Sequence, residues 1–370
     1  MSPDPSDAII GIDASRMHVR ERTGTENYSD QIIRALLAAD ADWRWRLYVN
    51  GEVAPPSLAT PTNAEVRPLQ ARRLWTHYRL SREMLTRRPN LLFVPAHVVP
   101  IVHPRTVVTI HDLGYLHVPE AHPVTQRKML DLTTRWSARV AHHIIVPSAQ
   151  TREDLIQRYG VLAGKISVVH HGVDPQFRKV DRSNEQELRT RYNLYRPYVL
   201  AVGTIQPRKN LAILARAMET GAPDHDLVIA GKRGWMSDQV LSELRETSLG
   251  ARLRIIDYVP DRDLPLLYAS ASIFVQPSRF EGFGMPVLEA MAAGTPVICA
   301  SGSSLTEIAG DAAEFFPASD HALLAHHLVE ILQDPSRMAG MRDRGAAWSA
   351  RFTWERAARE TRRIFEEALT

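Results

Sequence analysis

Ser272-Ile273-Phe274-Val275-Gln276-Pro277 is followed, after Ser278 and Arg279, by Phe280-Glu281-Gly282-Phe283-Gly284-Met285-Pro286-Val287-Leu288-Glu289. The first run is short and apolar, as a strand buried on both faces should be. The second opens a helix, with Pro286 in the first turn, where a missing N–H costs nothing. Gly282 and Gly284 let the backbone approach a ligand closely, and the amides of a helix start favour an anion. Glu281 and Glu289 are eight positions apart, one in the loop and the other about one turn into the helix. Two carboxylates at those heights can accept hydrogen bonds from hydroxyls on different parts of one extended ligand. A dinucleotide loop fits less well, because Val287 takes the third glycine position of Gly-x-Gly-x-x-Gly.

The same strand–loop–helix unit recurs on either side. Tyr198-Val199-Leu200-Ala201-Val202-Gly203 reads as a strand that runs through Thr204-Ile205-Gln206-Pro207-Arg208-Lys209 into a helix at Asn210–Met218. Adjacent cations at the carboxyl end of a sheet strand face the crevice where α/β folds bind ligands. Arg208 offers a planar fork and Lys209 a point charge, complementary ways of holding a diphosphate. Further strands are read at 226–231, 251–256 and 296–300. In the first half, strands are read at 8–13, 45–49, 91–95, 106–110, 143–147 and 166–169, with helices at Tyr28–Ala39 and Val124–Val140. The fold class is α/β, with doubly wound parallel sheets. A chain of 370 residues suits two such domains. They are placed at 1–180 and 181–350, with 351–370 as a helix crossing back to the first domain. His111-Asp112 stands at the end of the strand at 106–110, where His111 could donate to a sugar hydroxyl or stabilise developing charge. Gly24 lies in a polar loop after the first strand.

Composition excludes several classes. With 44% hydrophobic and 24% charged residues the chain is that of an ordinary globular protein. Residues 1–7 lack the features of a signal peptide, and the apolar stretch 91–102 is broken by Pro95, His97 and Pro100, so a cytoplasmic location is expected. The lone Cys299 reads as a buried small hydrophobe. Residues 1–180 hold 23 Lys and Arg against 17 Asp and Glu, a net +6, and the remainder is −3. Within the first half, 72–88 reads as a helix with Leu74, Tyr78, Ser81 and Leu85 on one stripe and arginines around the rest. That pattern suits an anionic membrane surface or a lipid diphosphate. Nucleic acid is not expected as a partner.

Taken together, Thr23–Tyr28, His111-Asp112-Leu113, His171-Gly172-Val173-Asp174, Gly203–Asn210, Glu281–Glu289, Gly294–Val297 and Thr306–Ala313 resemble glycosyltransferase family 4. Within that family the chain looks most like the mannosyltransferase branch of bacterial surface polysaccharide assembly. The resemblance implies the GT-B architecture, two Rossmann-like domains facing across a cleft, and a retaining, metal-independent transferase with no cofactor. The donor is expected to be a nucleoside diphosphate sugar, a GDP-sugar first, and the acceptor a glycan or lipid-linked hydroxyl. Glu281 would bind the donor sugar, with the amides of Phe283, Gly284 and Met285 around sugar and phosphate, and Glu289 would hold the ribose. Arg208 and Lys209 would neutralise the diphosphate, His111 would reach the sugar, and Gly24 would let the first loop close on the phosphates. Gly203 and Thr204 complete the donor-binding set. Many relatives have an Arg where Thr204 stands, and Arg208 is placed to supply that charge. A sugar-nucleotide epimerase and a non-catalytic sugar-nucleotide-binding module are the competing readings.

Overall fold

The computed structural model describes residues 8–18, 23–39, 43–51, 61–71 and 74–370. They form two compact units. The first takes in the described residues up to Leu113 together with Val124–Gly172 and Thr353–Thr370. The second comprises Gly114–Pro123 and Val173–Phe352.

The first unit is built on a parallel seven-stranded sheet in the order β3-β2-β1-β4-β5-β6-β7. Its strands are β1 (Ile9–Asp13), β2 (Arg44–Val49), β3 (Ala64–Pro68), β4 (Leu91–Val94), β5 (Arg105–Thr109), β6 (His143–Val146) and β7 (Ile166–Val168). β4 is buried along its whole length, and this is why it reads as an unbroken apolar run. β3, Ala-Glu-Val-Arg-Pro, lies at the sheet edge, is partly exposed, and has no apolar run to betray it. The first helix, Gly24–Ala38, starts four residues before the expected Tyr28. A capping box between Thr23 and Glu26 takes up the amides of those two residues, with Thr23 N donating to Glu26 Oε2 at 3.0 Å. The final helix, Trp354–Leu369, packs within this unit, its Phe365 against Trp43 and Phe93.

The second unit carries a parallel six-stranded sheet in the order β10-β9-β8-β11-β12-β13. The strands are β8 (Tyr198–Val202), β9 (Asp226–Ala230), β10 (Leu253–Ile256), β11 (Ile273–Gln276), β12 (Val297–Ala300) and β13 (Glu314–Phe316). Their side chains alternate between two cores. Tyr198, Leu200, Val228, Phe274, Val297 and Cys299 enter one. Val199, Ala201, Leu227, Ile229, Val275 and Ile298 enter the other. Both faces are therefore covered, and burial pushes the Cys299 thiol far above its ordinary range, as a packing role requires.

The division between units differs from a boundary at 180 in two respects. Val173, Phe177 and Val180 pack into the second unit's core, which draws the linker with it. Residues Gly114–Pro123 also group with that unit. There His117 stacks on Phe280 at 4.2 Å, Trp235 Nε1 donates to the Ala121 carbonyl at 2.6 Å, and Arg279 pairs with Glu120 at 3.2 Å.

The expected stripe over 72–88 changes register. Arg72 and Arg73 lie outside the described residues. Trp75–Leu80 forms a π-helical turn that continues into the α-helix Ser81–Thr86. The wider turn carries Ser81 inward, where its Oγ accepts from the Val102 amide at 3.2 Å, while Leu74, Tyr78 and Leu85 are exposed.

Candidate active site

In the second sheet, chain order runs outward from β8 through β9 to β10, then restarts on the other side at β11. The reversal between β8 and β11 is the topological switch point, where loops at the carboxyl ends part and leave a ligand crevice. The loops that part there are Gly203–Asn210 and Pro277–Gly284, the two segments singled out by sequence.

Their side chains meet in one buried cluster. Glu281 Oε2 accepts from Arg208 Nη1 at 2.9 Å, and Oε1 accepts from Lys209 Nζ at 2.6 Å. Oε1 also accepts from Gln276 Nε2 at 2.8 Å, and the same Gln276 nitrogen donates to Ser278 Oγ at 2.7 Å. Arg208 holds the Phe280 carbonyl at 2.5 Å. The Arg279 amide in turn donates to the Arg208 carbonyl at 3.0 Å, so the loops brace each other. Burial by itself would raise the Glu281 carboxyl. Lys209 and then Arg208 outweigh it and hold the group well below the usual carboxylate range. Two fixed cations against one carboxylate leave a net charge of +1 at the switch point.

Two glycines make this geometry possible. Gly203 has φ +143°, and a Cβ there would sit 3.2 Å from the Lys209 Cε and Nζ atoms that lie across it. Gly284, at φ +103°, precedes the helix Met285–Ala292, and a Cβ there would come within 2.8 Å of Leu305 Cδ2. Ser304 Oγ donates to the carbonyls of Glu281 and Phe283 at 2.8 and 3.0 Å and fixes the loop between them. Phe283 is buried, and Met285 is the first residue of the helix.

Glu289 lies one turn along that helix and is buried. The Tyr268 hydroxyl donates to its Oε2 at 2.9 Å. Burial raises the Glu289 carboxyl to about 7; the Tyr268 hydrogen bond lowers it, while Asp261 and Asp174 add to the rise. The two carboxylates of the motif thus occupy opposite electrostatic environments eight residues apart.

The first unit has its own buried polar cluster around His111. Its Nε2 is 2.7 Å from the Pro95 carbonyl, and its ring meets Tyr28 edge-on at 4.8 Å and His171 at 5.7 Å. Burial lowers the His111 pKa, more than the Pro95 bond, Asp112 and Glu26 raise it. A carbonyl can only accept, so Nε2 carries the proton. The neutral ring therefore presents Nδ1 as an acceptor. In this tautomer the Nε2 proton is committed to Pro95, so donation to a sugar hydroxyl would require the protonated ring. Burial likewise lowers His171 well below its ordinary value and His97 to about 4.

A model of glycosyltransferase family 4 matches residues 23–177, and one of glycosyl transferases group 1 matches residues 184–348. O-antigen chain mannosyltransferase B of Escherichia coli is 34% identical over 265 residues, 70% of this chain and 69% of that protein. The chain belongs to glycosyltransferase family 4. O-antigen chain mannosyltransferase RfbU of Salmonella typhimurium is 25% identical over 293 residues, 78% of each chain. Sucrose-phosphate synthase from Thermosynechococcus elongatus superposes with a TM-score of 0.77 at 21% identity, covering 98% of both chains. Anabaena HepE in complex with UDP and glucose gives 0.77 at 19%, covering 97% of this chain and 99% of that one. The fold of this family 4 glycosyltransferase is GT-B, and its relatives include the mannosyltransferase branch.

Against that family frame, Arg208, Lys209 and Glu281 are brought together, with Gly203 and Gly284 shaping their loops. Thr204 packs elsewhere, its Cγ2 2.6 Å from where a Cβ on Gly234 would stand. Gly24 is not in a loop. It opens the helix Gly24–Ala38, is exposed, and a Cβ there would meet nothing within 4 Å. What that position offers an anion is the helix start itself and not glycine's conformational freedom.

Sequence reading missed Gln276, Ser278, Ser304 and Tyr268. The polar Gln276-Pro277-Ser278 closing an apolar strand was the available signal for the first two. Asp-x-Asp spacing also occurs at Asp40-Ala41-Asp42, outside the described residues, at Asp224-His225-Asp226, where Arg254 pairs with Asp226 at 3.5 Å, and at Asp261-Arg262-Asp263. In the last of these, Asp263 Oδ2 is taken up by Arg191 Nη1 and the Tyr192 hydroxyl, both at 2.8 Å. Among the described residues no group of three or more His, Cys, Asp or Glu is placed to hold a metal.

Proposed function

We propose that this glycosyltransferase moves a hexose, mannose first, from a nucleoside diphosphate sugar, GDP-linked first, to a hydroxyl of a glycan or lipid-linked acceptor with retention at the anomeric carbon. The observation that carries the reading is the Arg208–Glu281–Lys209 cluster at the switch point with Glu289 eight residues on. Mannose is favoured because the O-antigen relatives are mannosyltransferases.

In the reaction the bond from the anomeric carbon to the phosphate oxygen breaks, and that carbon bonds the acceptor oxygen. The acceptor proton passes to the departing phosphate oxygen. Negative charge grows on the diphosphate, where Arg208, Lys209 and the amides around Phe283, Gly284 and Met285 oppose it. No metal or cofactor is assigned a part. Glu281 orients both cations and takes hydrogen bonds from sugar hydroxyls, Glu289 holds the ribose, and the His111 Nδ1 accepts from a sugar hydroxyl. The helix start at Gly24 offers amides to phosphate.

The test is incubation of GDP-mannose, UDP-glucose and ADP-glucose with a lipid-linked or free mannoside. Product formation with α-linkage by NMR, unaffected by EDTA, is expected. Nucleotide release with epimerisation of the sugar, or nucleotide binding without turnover, would overturn it.

No helix among the described residues is long and apolar enough to cross a membrane. Leu74, Tyr78 and Leu85 are exposed in a segment that also presents Arg82, Arg87 and Arg88. We assign this face to peripheral docking on anionic lipid at the cytoplasmic side. Flotation with phosphatidylglycerol vesicles should carry the protein upward in low salt, and equal recovery with neutral vesicles would refute the assignment.

A further inference from the structure

The Tyr268 ring is fully buried at the end of the helix Leu264–Ala269. It is wedged between Phe177 at 5.8 Å and Phe274 at 5.5 Å. Its backbone carbonyl accepts from Thr295 Oγ1 at 2.7 Å. Ring and backbone are thus held from independent directions, and the hydroxyl has one proton to give. It gives that proton to Glu289 Oε2.

We propose that Tyr268 is a positioning residue of the nucleotide subsite. By fixing Oε2 it sets the plane of the Glu289 carboxylate and directs Oε1 at the vicinal hydroxyls of a ribose, so that ribonucleotides bind in preference to 2′-deoxyribonucleotides. The inference rests on the reading of Glu289 as the ribose-binding carboxylate.

The groups facing Glu289 give the arrangement a second readout. Asp261, from the loop after β10, and Asp174, from the linker, both add to its proton affinity, and Tyr268 opposes them. Burial and Glu289 hold the Tyr268 phenol well above its ordinary range, so it remains a neutral donor throughout. Removing the hydroxyl takes away the group that stabilises the ionised carboxylate, and the pH below which nucleotide affinity declines should rise.

The experiment measures binding of GDP and 2′-deoxy-GDP, and of UDP and 2′-deoxy-UDP, to the full chain by calorimetry between pH 5.5 and 8.5. Wild type, Tyr268→Phe and Glu289→Gln are compared. Wild type should prefer the ribonucleotide by about tenfold or more, the scale of one charge-assisted hydrogen bond. Tyr268→Phe, which keeps the packed ring, should lose most of that preference and shift the acid limb upward by about one to two pH units. A folded Tyr268→Phe protein with the wild-type ratio and limb would overturn the inference while Glu289→Gln still abolished the preference. If wild type and Glu289→Gln bind both sugars alike, the ribose reading fails first and takes this inference with it. Should Tyr268→Phe not fold, 3-fluorotyrosine at position 268, a more acidic donor, should move the limb downward. An unmoved limb there would be equally decisive against it.

Discussion

Replacing Lys209 with alanine removes the ammonium that lies 2.6 Å from Glu281 Oε1 and across Gly203. The cluster's net charge falls from +1 to zero, and the buried carboxylate keeps one cation in place of two. A charge-assisted hydrogen bond to phosphate contributes about 1.5–3 kcal/mol. At about 1.4 kcal/mol per decade, the Kd for a nucleoside diphosphate should rise by about 10–150-fold. kcat/KM should fall at least as far, because charge on the leaving phosphate is greater in the transition state than in the bound donor. Calorimetry of GDP and UDP, paired with initial-rate kinetics, reads both numbers. A different role for Lys209, merely neutralising Glu281, makes a separable forecast: Lys209→Met combined with Glu281→Gln would restore nucleotide affinity. Restoration in the double variant, or a Kd for Lys209→Ala within twofold of wild type, would refute the phosphate-binding argument.

The two motif glutamates should give opposite pH slopes of stability. Glu281 is held below its ordinary value, so its contribution is present above about pH 4.5 and is lost as pH falls. Glu289 is raised to about 7, so the folded state binds the extra proton between about 4.5 and 7, and stability from this group declines as pH rises through that window. Thermal melts should show Glu289→Gln gaining on wild type as pH rises from 5 to 7.5, and Glu281→Gln losing ground as pH rises from 3.5 to 5.5; slopes of the same sign would contradict the assignment. Gly284→Ala forces an L-residue to φ +103° and places its Cβ 2.8 Å from Leu305 Cδ2. A loss of about 1–3 kcal/mol in stability and weaker donor binding are expected, measured by denaturant titration and calorimetry; an unchanged protein would show that the loop relaxes freely.

What was legible in the sequence follows from which interactions are local. β4, β8, β9, β11 and β12 could be read because strands covered on both faces run apolar, broken only at an end by Asp226 in β9 and Gln276 in β11. β3 and the three-residue β13 lie at sheet edges, where one side needs no apolar partner and the signal fades. The helices His321–Gln333 and Pro335–Ser349 carry a local signal of their own, because the Asp320 and Asp334 side chains cap their first amides. At the site, sequence named the residue types but not their partners. Lys209 and Glu281 are 72 positions apart, and Tyr268 lies 21 before Glu289. Only the reversal of strand order between β8 and β11 brings the first pair together. His111 shows the same limit from the other side. Its residue type suggests a donor or a stabiliser of developing charge, and a single carbonyl at Pro95, 16 positions away, takes up its Nε2 proton. A motif therefore fixes which groups stand at the carboxyl ends of the strands, while the hydrogen-bond partners that strand order delivers decide what chemistry those groups can perform.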